Sequence, residues 1–546
     1  MSSTDPLAEQ RRLVQALLDP ARYPHPVAAV SLIETHISFL LLTGRYAYKI
    51  KKAVDLGFVD YLGLERRRHF CHEELRLNRR LAPELYLEVA AIGGAPEDPR
   101  WDAGGEAIEY AVKMAQFPQA DLLDQVLARG GLTPSHVDAL AARVAAFHRA
   151  APSATPSDEY GSPAAVWSPA EANFAHLQRL GAAARWPRLA DLEAWSRAEY
   201  QRLGPTLAQR RAAGFVRECH GDLHLGNMVL LDGTPAVFDC IEFNPSLRWI
   251  DVANDLAFLA MDLSERGRPD YAWRLLNDWL EELGDYAGLP LLRFYQVYRA
   301  LVRAKVACIR AADPALPAPE RQAALAAADG YVDYALSIIA PRPGALVITH
   351  GLSGSGKSTA ARAVAESLGG VRLRSDVERK RLHGLGSLAR SGSGIADGLY
   401  GDGATAATYA RLAELAGAIN AAGYPAVIDA ACLRRWQRQR FQDLARTRGI
   451  PLVIIDCRAP ESVLLERLAA RDRRGDDASE ATPAVLAEQL AQAEPLTPDE
   501  REAAVVVDTA GDGLARALAE IRRRIFEADG RQDPRQSPEE ERVGLP

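Results

Sequence analysis

Residues 345–358 read ALVITHGLSGSGKS. The last eight, from Gly351 to Ser358, fit G-x-x-x-x-G-K-[ST], the phosphate-binding loop. The run 345–350 is short, apolar and β-branched, and it reads as a buried strand. The run 359–368 (TAARAVAESL) reads as a helix that stops at Gly369 and Gly370. Strand, glycine loop and helix come in the order the mechanism needs. Glycines let backbone N–H groups close around phosphates, and the helix N-terminus adds partial positive charge. Lys357 is placed to reach the β- and γ-phosphates and the Ser358 hydroxyl to ligate Mg²⁺. Gly351, Ser353, Gly354, Ser355, Gly356 and Thr359 complete the expected nucleotide cradle.

The same alternation continues downstream. Apolar strands are expected at 371–374, 425–429, 452–456 and 503–508. Helices are expected at 404–422, 461–471 and 511–526. Five strands alternating with helices predict an α/β P-loop domain over 341–526, built on a doubly wound parallel sheet. Asp429, at the end of the third strand, is a candidate Mg²⁺ or water ligand. Residues 340–344 (APRPG) form a short, stiff linker. Residues 527–546 are polar and Pro-rich, and a disordered tail is expected there.

Residues 1–340 need their own account. A chain of 546 residues has room for several domains, and 48% hydrophobic content suits sizeable cores. The net charge of −7 offers no basic footprint for nucleic acid. The six cysteines are scattered, with no C-x-x-C, so reduced thiols and a cytoplasmic location are expected. No signal-peptide core and no apolar run of about 18 residues is present, so no membrane contact is expected. Lysine is scarce, which makes each one informative: of seven, three are Lys49, Lys51 and Lys52, and one is Lys357.

Residues 10–18 read as a helix, and 37–43 and 46–51 as a hairpin about Gly44 and Arg45. Residues 64–81 have helical periodicity, and 87–92 and 107–114 are strand-like. Hairpin, helix and further strands is how a protein-kinase-like nucleotide lobe is built. There a strand lysine holds the α- and β-phosphates, and a helix glutamate holds the lysine. Lys49 is the candidate lysine and Glu74 its expected partner, with Glu73 as the alternative. The absence of G-x-G-x-x-G before the lysine disfavours a protein kinase proper. The lobe spans about 25–117, with a hinge at 114–118 and a helical catalytic lobe over 118–340.

That second lobe contains His220-Gly221-Asp222-Leu223-His224-Leu225-Gly226-Asn227. Asp222 and Asn227 are spaced like Asp and Asn in the kinase catalytic loop. Residues 228–231 read as a strand, Asp232-Gly233 as a hairpin turn, and 235–238 as the return strand that delivers Asp239. Phosphoryl transfer needs such a set: one carboxylate takes the proton of the attacking hydroxyl, while an amide and a second carboxylate hold Mg²⁺. Glu242 reads equally well as facing the metal or substrate and as a solvated carboxylate. His224 reads as a hydrogen-bonding residue, and Arg299, Arg303 and Lys305 as a solvated helix face.

HGDLHLGN followed by VFDCIEFN resembles the aminoglycoside phosphotransferase-like kinases, a family that includes choline and homoserine kinases, over about 25–340. The resemblance implies Asp222 as catalytic base, Asn227 and Asp239 as Mg²⁺ ligands, His220 as the residue orienting the loop, and Asp251 and Asp255 as braces. Residues 375–379 (SDVER) resemble the gluconate kinase, chloramphenicol phosphotransferase, polynucleotide kinase and zeta-toxin group. That likeness implies Asp376 as base on the acceptor hydroxyl and Arg379 as a substrate or phosphate contact. A helix N-cap role for Asp376 is compatible with it. Arg467 and the run 471–474, leading into 475–479 (GDDAS), resemble the arginine-bearing lid of small-molecule kinases. Arg471, then Arg467, would neutralise charge on the transferring phosphoryl group.

These readings predict a bifunctional phosphotransferase using ATP and Mg²⁺. Its fold is an α+β protein-kinase-like two-lobed domain over 1–340 followed by the P-loop domain, and each domain acts on hydroxyls of small molecules. One alternative is a regulatory P-loop ATPase coupled to a single kinase domain. Another is a polynucleotide 5′-hydroxyl kinase in the second domain, which the acidic charge and the lack of an aromatic-basic stripe disfavour.

Overall fold

A computed structural model describes residues 5–528 except 58, 103, 156, 391–397 and 475–476. The predicted tail from 529 onward, Gly475 and Asp476 of the predicted lid lie outside the described residues. The chain forms two compact units: Met1–Asp262 with Phe294–Asp329, and Leu263–Arg293 with Gly330–Pro546.

In the first unit, Ser38–Leu42 and Tyr46–Lys51 pair antiparallel, with Gly44 at φ 92° between them. The sheet runs Ser31–Glu34, Ser38–Leu42, Tyr46–Lys51, Ala107–Ala115, Tyr86–Ala95, Asp98–Trp101. Two of these strands carry no alternating apolar pattern: all of Ser31–Glu34 is exposed, and Asp98–Trp101 is short and mostly polar. Strand alternation puts Lys49 and Lys51 on one face. The helix Leu64–Asn78 buries Arg67, Cys71, Glu74 and Asn78, which recur at helical spacing along one side. Further along, Met228–Leu231 pairs with Thr234–Val237 about Asp232 and Gly233, at φ 48° and 77°. Both positions need the left-handed region, as an Asp-Gly hairpin turn supplies. Helices Pro134–Ala150, Leu189–Ala212, Val252–Glu265 and Leu289–Ala311 build most of the rest.

The second unit carries five parallel strands: Leu346–His350, Val371–Arg374, Ala426–Asp429, Leu452–Arg458 and Ala504–Asp508. Their spatial order is second, third, first, fourth, fifth. The strand tips therefore meet beside Leu346–His350, where open α/β sheets place their ligands. Val347, Val427, Val453, Ile455 and Val505 pack with Ala360, Ala361 and Val364 of the helix Lys357–Leu368. The small alanines let that helix lie close to the sheet and fix the loop that precedes it.

The compact units do not follow the expected boundary near 340. Residues 263–293 and 330–340 lie with the P-loop sheet. The helix Pro269–Leu283 covers Val371–Arg374, the edge strand, and such an edge needs cover. Asn277 does this directly: its Nδ2 donates to the Gly370 carbonyl at 3.0 Å and its Oδ1 accepts from Arg372 N at 2.6 Å. Asp278 and Glu281 pair with Arg362 and Arg372 at 3.2 and 2.9 Å. A Cβ on Gly369 would fall 2.9 Å from Trp273 Nε1, so the contact requires glycine there. The sequence marks this helix as two-faced without saying which core it covers.

Asn277→Ala would strand two buried backbone groups. It should lower the stability of the second unit by about 2 kcal/mol, read as a lower urea midpoint. An unchanged midpoint would show that the helix does not brace the sheet edge.

Candidate active sites

The first site is assembled on Lys49. Its Nζ lies 2.8 Å from Glu74 Oε1 and 2.5 Å from Asp239 Oδ1. Glu73 instead pairs with Arg76 at 2.9 Å, so the helix turns Glu74, not Glu73, toward the lysine. Glu74 is fully buried and meets a second cation, Lys51 Nζ, at 2.7 Å. Burial pushes the Glu74 carboxyl up, but the two lysines outweigh it and hold it below its ordinary value. Burial likewise works against the Lys49 ammonium, and Asp239 and Glu74 more than compensate, so it stays charged.

Lys51 also pairs with Glu242, which accepts from the Tyr61 hydroxyl at 2.6 Å. Glu242 is 5% exposed, and the solvated-carboxylate reading is therefore wrong. Its role as a buried counter-ion was not legible, because its partners lie more than 180 residues away in sequence.

Asp222 and Asn227 meet as the spacing required. Asn227 Nδ2 donates to Asp222 Oδ2 and to the Asp222 carbonyl, both at 3.0 Å. His224 Nε2 stands 3.4 Å from the same Oδ2. His224 Nδ1 accepts from Gly226 N at 3.1 Å, and its Nε2 also lies 3.4 Å from Arg303 Nη1. Asn227 thus engages Oδ2 of Asp222, the oxygen that His224 also faces, and not Oδ1. Burial raises the Asp222 carboxyl, but His224 and Arg303 prevail and hold it far below its usual range.

Asp239 follows the hairpin in the left-handed region, at φ 62°, and its N–H donates to the Tyr86 hydroxyl at 3.1 Å. Phe238 N donates to the Asn227 carbonyl at 2.9 Å, tying the hairpin to the catalytic loop. His220 Nε2 lies 2.9 Å from the Phe238 carbonyl.

Carboxylates hold the loop from behind. Asp255 accepts from His220 N (3.0 Å), Gly221 N (2.9 Å) and His148 Nε2 (3.1 Å), and Asp262 accepts from Leu225 N (2.9 Å). Asp251 is held by Arg210 at 2.8 Å. Arg299 is 5% exposed and donates to the Gly221 carbonyl and to Asn254 Oδ1, both at 2.8 Å. The solvated-face reading of Arg299 is thus corrected. A helix of mixed arginine and apolar residues does not announce that one arginine points inward.

The second site is an open cleft of about 670 Å³. Ser353, Gly354, Gly356, Lys357, Ser358 and Thr359 line one end, and Asp376, Arg379, Asp429, Arg467 and Arg471 also reach it. Gly351 and Ser355 lie beneath the loop instead. A Cβ on Gly351, at φ 146°, would fall 2.6 Å from the Cys457 carbonyl, so only glycine fits. Ser355 Oγ is buried and has no hydrogen-bond partner among the described residues. Lys357 Nζ donates to the Leu352 carbonyl at 2.7 Å, and burial pushes its ammonium down. Asp376 sits in the first turn of the helix Ser375–Leu382, whose N-cap is Arg374, so Asp376 is not the cap.

Arg374, unremarked in the sequence, organises this wall: it lies 2.9 Å from Glu281, 2.9 Å from Asp477 and 3.6 Å from Asp429. Arg467 donates to the Gly354 carbonyl (3.2 Å) and the Thr509 carbonyl (2.6 Å), clasping the loop. Arg471 donates to the Ala481 carbonyl at 2.9 Å.

The donors present suit a hard divalent cation. Ser358 Oγ donates to Asp429 Oδ1 at 3.2 Å, and Asp429 Oδ2 is buried with no hydrogen-bond partner. Burial raises the Asp429 carboxyl, a cost that a cation would relieve. In the first site, Asp239 and Asn227 offer a half-exposed carboxylate and an amide oxygen. Among the described residues, no helix is long and apolar enough to cross a membrane.

Residues 65–295 match the family model described as a phosphotransferase enzyme family, and residues 346–496 match one described as an AAA domain. The uncharacterized protein Rv2004c of Mycobacterium tuberculosis (strain ATCC 25618 / H37Rv) is 31% identical over 478 residues, covering 86% of this chain and 92% of that protein. The uncharacterized protein Mb2027c of Mycobacterium bovis is similar to the same degree. Among solved structures, a gluconokinase from Sinorhizobium meliloti 1021 is 25% identical, covering 35% of this chain and 98% of its own, with a TM-score of 0.25. The amicoumacin kinase hAmiN in complex with AMP-PNP, Ca²⁺ and Ami is 16% identical, covering 60% and 93%, with a TM-score of 0.38.

Asp255 gives the first site a pH signature. Burial raises its carboxyl, but His148, His220 and the loop N–H groups outweigh this and lower it from 3.8 to about 2. The stabilisation is complete above about pH 4 and is lost as pH falls toward 2, about 2 kcal/mol in all. Asp255→Asn should therefore be less stable at pH 7 and show a flatter loss of stability between pH 4 and 2. Parallel acid-unfolding curves would contradict the bracing role.

Proposed function

The chain belongs to the same family as these mycobacterial proteins and is an ATP-dependent phosphotransferase with two kinase-type domains; on that premise we propose that each domain transfers the γ-phosphoryl of ATP to a hydroxyl of a small molecule. The observation that carries the reading is the pair of complete charge constellations, Lys49–Glu74–Asp239 with Asp222–Asn227, and Lys357–Ser358–Asp429 with Asp376.

In the first site Lys49, held by Glu74, binds the α- and β-phosphates. Asp222 takes the acceptor proton on Oδ1, the oxygen that Asn227 does not engage. Asn227 and Asp239 would hold Mg²⁺, and Ser358 and Asp429 would do so in the second site; the ion neutralises charge on the phosphates. In the second site the glycine loop and Lys357 bind the phosphates, and Asp376 takes the acceptor proton. Arg471 and Arg467 stabilise charge on the transferring group. A cytoplasmic location agrees with six free cysteines.

One observation favours coupling between the activities. Asp255 and Asp262, which hold the first catalytic loop, are on the helix Val252–Glu265. The chain then runs straight into Pro269–Leu283, whose Glu281 pairs with Arg374.

Asp222→Ala should lower transfer by the first site about 10³-fold and leave the second intact. Lys357→Ala should do the reverse. With labelled ATP and a metabolite extract, phosphorylated small molecules are expected from each single variant. Loss of both activities in Lys357→Ala would favour the coupled, regulatory P-loop reading. ADP release without any phosphorylated product would overturn the kinase reading.

A further inference from the structure

We propose that Lys51 and Glu242 are positioning residues for the first reaction: they anchor the segment that carries Asp239 and so keep its carboxylate placed for a divalent cation. The inference rests on the kinase reading of the first site and adds how its metal ligand is held.

Lys49 and Lys51 are two residues apart on the strand Tyr46–Lys51, which sets them about 7 Å apart on one face. Glu74 lies between them, with Oε1 2.8 Å from Lys49 Nζ and Oε2 2.7 Å from Lys51 Nζ. Each lysine then meets a carboxylate of one short segment: Lys49 meets Asp239, and Lys51 meets Glu242, three residues further on. Carboxylate and ammonium alternate along this chain of five charges, and the backbone from 239 to 242 ties its two ends together.

The two ends differ. The Asp239 side chain is 41% exposed, whereas Lys51 and Glu242 are buried. Glu242 also accepts from the Tyr61 hydroxyl at 2.6 Å, and Lys51 Nζ lies 5.1 Å from the Tyr61 ring centroid. With two donors and almost no surface, Glu242 is placed as an anchor and not as a ligand for the cation. Lys49 stands at the open end, where its ammonium is claimed by phosphates.

Lys49 alone therefore cannot place Asp239. Its ammonium competes with a divalent cation for the same carboxylate and is drawn to the phosphates as well. Asp239 also stands at φ 62°, a left-handed backbone that persists where the surroundings impose it. Three contacts impose it here. Asp239 N–H donates to the Tyr86 hydroxyl at 3.1 Å, Cys240 N–H donates to Asn78 Oδ1 at 2.8 Å, and Lys51 and Tyr61 grip Glu242. Asn78 Nδ2 donates in turn to the Glu74 carbonyl at 2.8 Å, which ties the segment to the helix Leu64–Asn78. Of the three, only the Lys51–Glu242 contact joins two charges, and a buried pair of this kind is costly to separate.

The division of labour is then plain. Lys49 serves the phosphates, Asp239 serves the cation, and Lys51 with Glu242 keeps Asp239 in place while its contact with Lys49 is given up.

The test uses the full chain carrying Lys357→Ala, so that binding of AMP-PNP reports the first site alone. Its Kd is measured in EDTA and in saturating Mg²⁺, and the ratio of the two gives the cation's contribution. Asp239→Asn sets the floor and should bring the ratio near one. Glu242→Gln should lower the ratio about 10-fold, the size expected when a partner that orients a metal ligand is lost, with the Kd in EDTA unchanged. Glu242→Asp, which keeps the charge on a shorter arm, should recover part of the ratio. Tyr61→Phe leaves every charge in place and should lower the ratio less, and it carries the test if Glu242→Gln does not fold. An equal loss of affinity with and without Mg²⁺ in these variants would show a merely structural role and overturn the inference. So would an unchanged ratio in Glu242→Gln, or in Tyr61→Phe if that variant carries the test, and with Asp239→Asn at its floor the kinase reading would stand. A ratio in Asp239→Asn equal to the parent's would overturn both this inference and the reading of Asp239 as a metal ligand.

Discussion

A carboxylate with no exposed surface keeps its charge only if donors surround it, and Asp255 meets that condition by gripping the loop that bears Asp222. Its oxygens accept from His220 N, Gly221 N and His148. The loop cannot move without stranding a buried charge, which is far more costly than losing a surface contact. Glu74 does the same on the nucleotide side, where Lys49 and Lys51 both lean on it. The sheet and helices of the first unit serve to bring these buried charges to their partners.

The second unit follows the same rule with the sign reversed. Arg374 is the half-buried cation, and Glu281, Asp477 and Asp429 share it. Glu281 belongs to a helix inside the phosphotransferase match at 65–295, yet that helix lies in the P-loop unit. The P-loop match at 346–496 therefore lacks a residue that sets the charge of its own wall.

Much of this was legible in the sequence, and the limits have physical causes. The phosphate loop, the Asp-Gly hairpin and the Asp222–Asn227 pair were readable because each depends on local backbone geometry and short spacing. Alternation and helical spacing located the strands at 46–51 and 107–114, the second one residue short of Ala115, and the helix bearing Glu74. Partners far apart in the chain were not readable. Glu242 finds Lys51 and Tyr61, Arg299 finds Gly221, and Glu281 finds Arg374 only once the chain is folded. The boundary near 340 was inferred from proline and glycine, whereas the compact units depend on which core the helix Pro269–Leu283 covers.

The central claim is that one chain holds two separate nucleotide sites, and the most direct test counts them. Isothermal titration of the full chain with a non-hydrolysable ATP analogue and Mg²⁺ should give a stoichiometry of two per chain, falling to one in Lys357→Ala. A stoichiometry of one in the unaltered chain, abolished by Lys357→Ala, would contradict it.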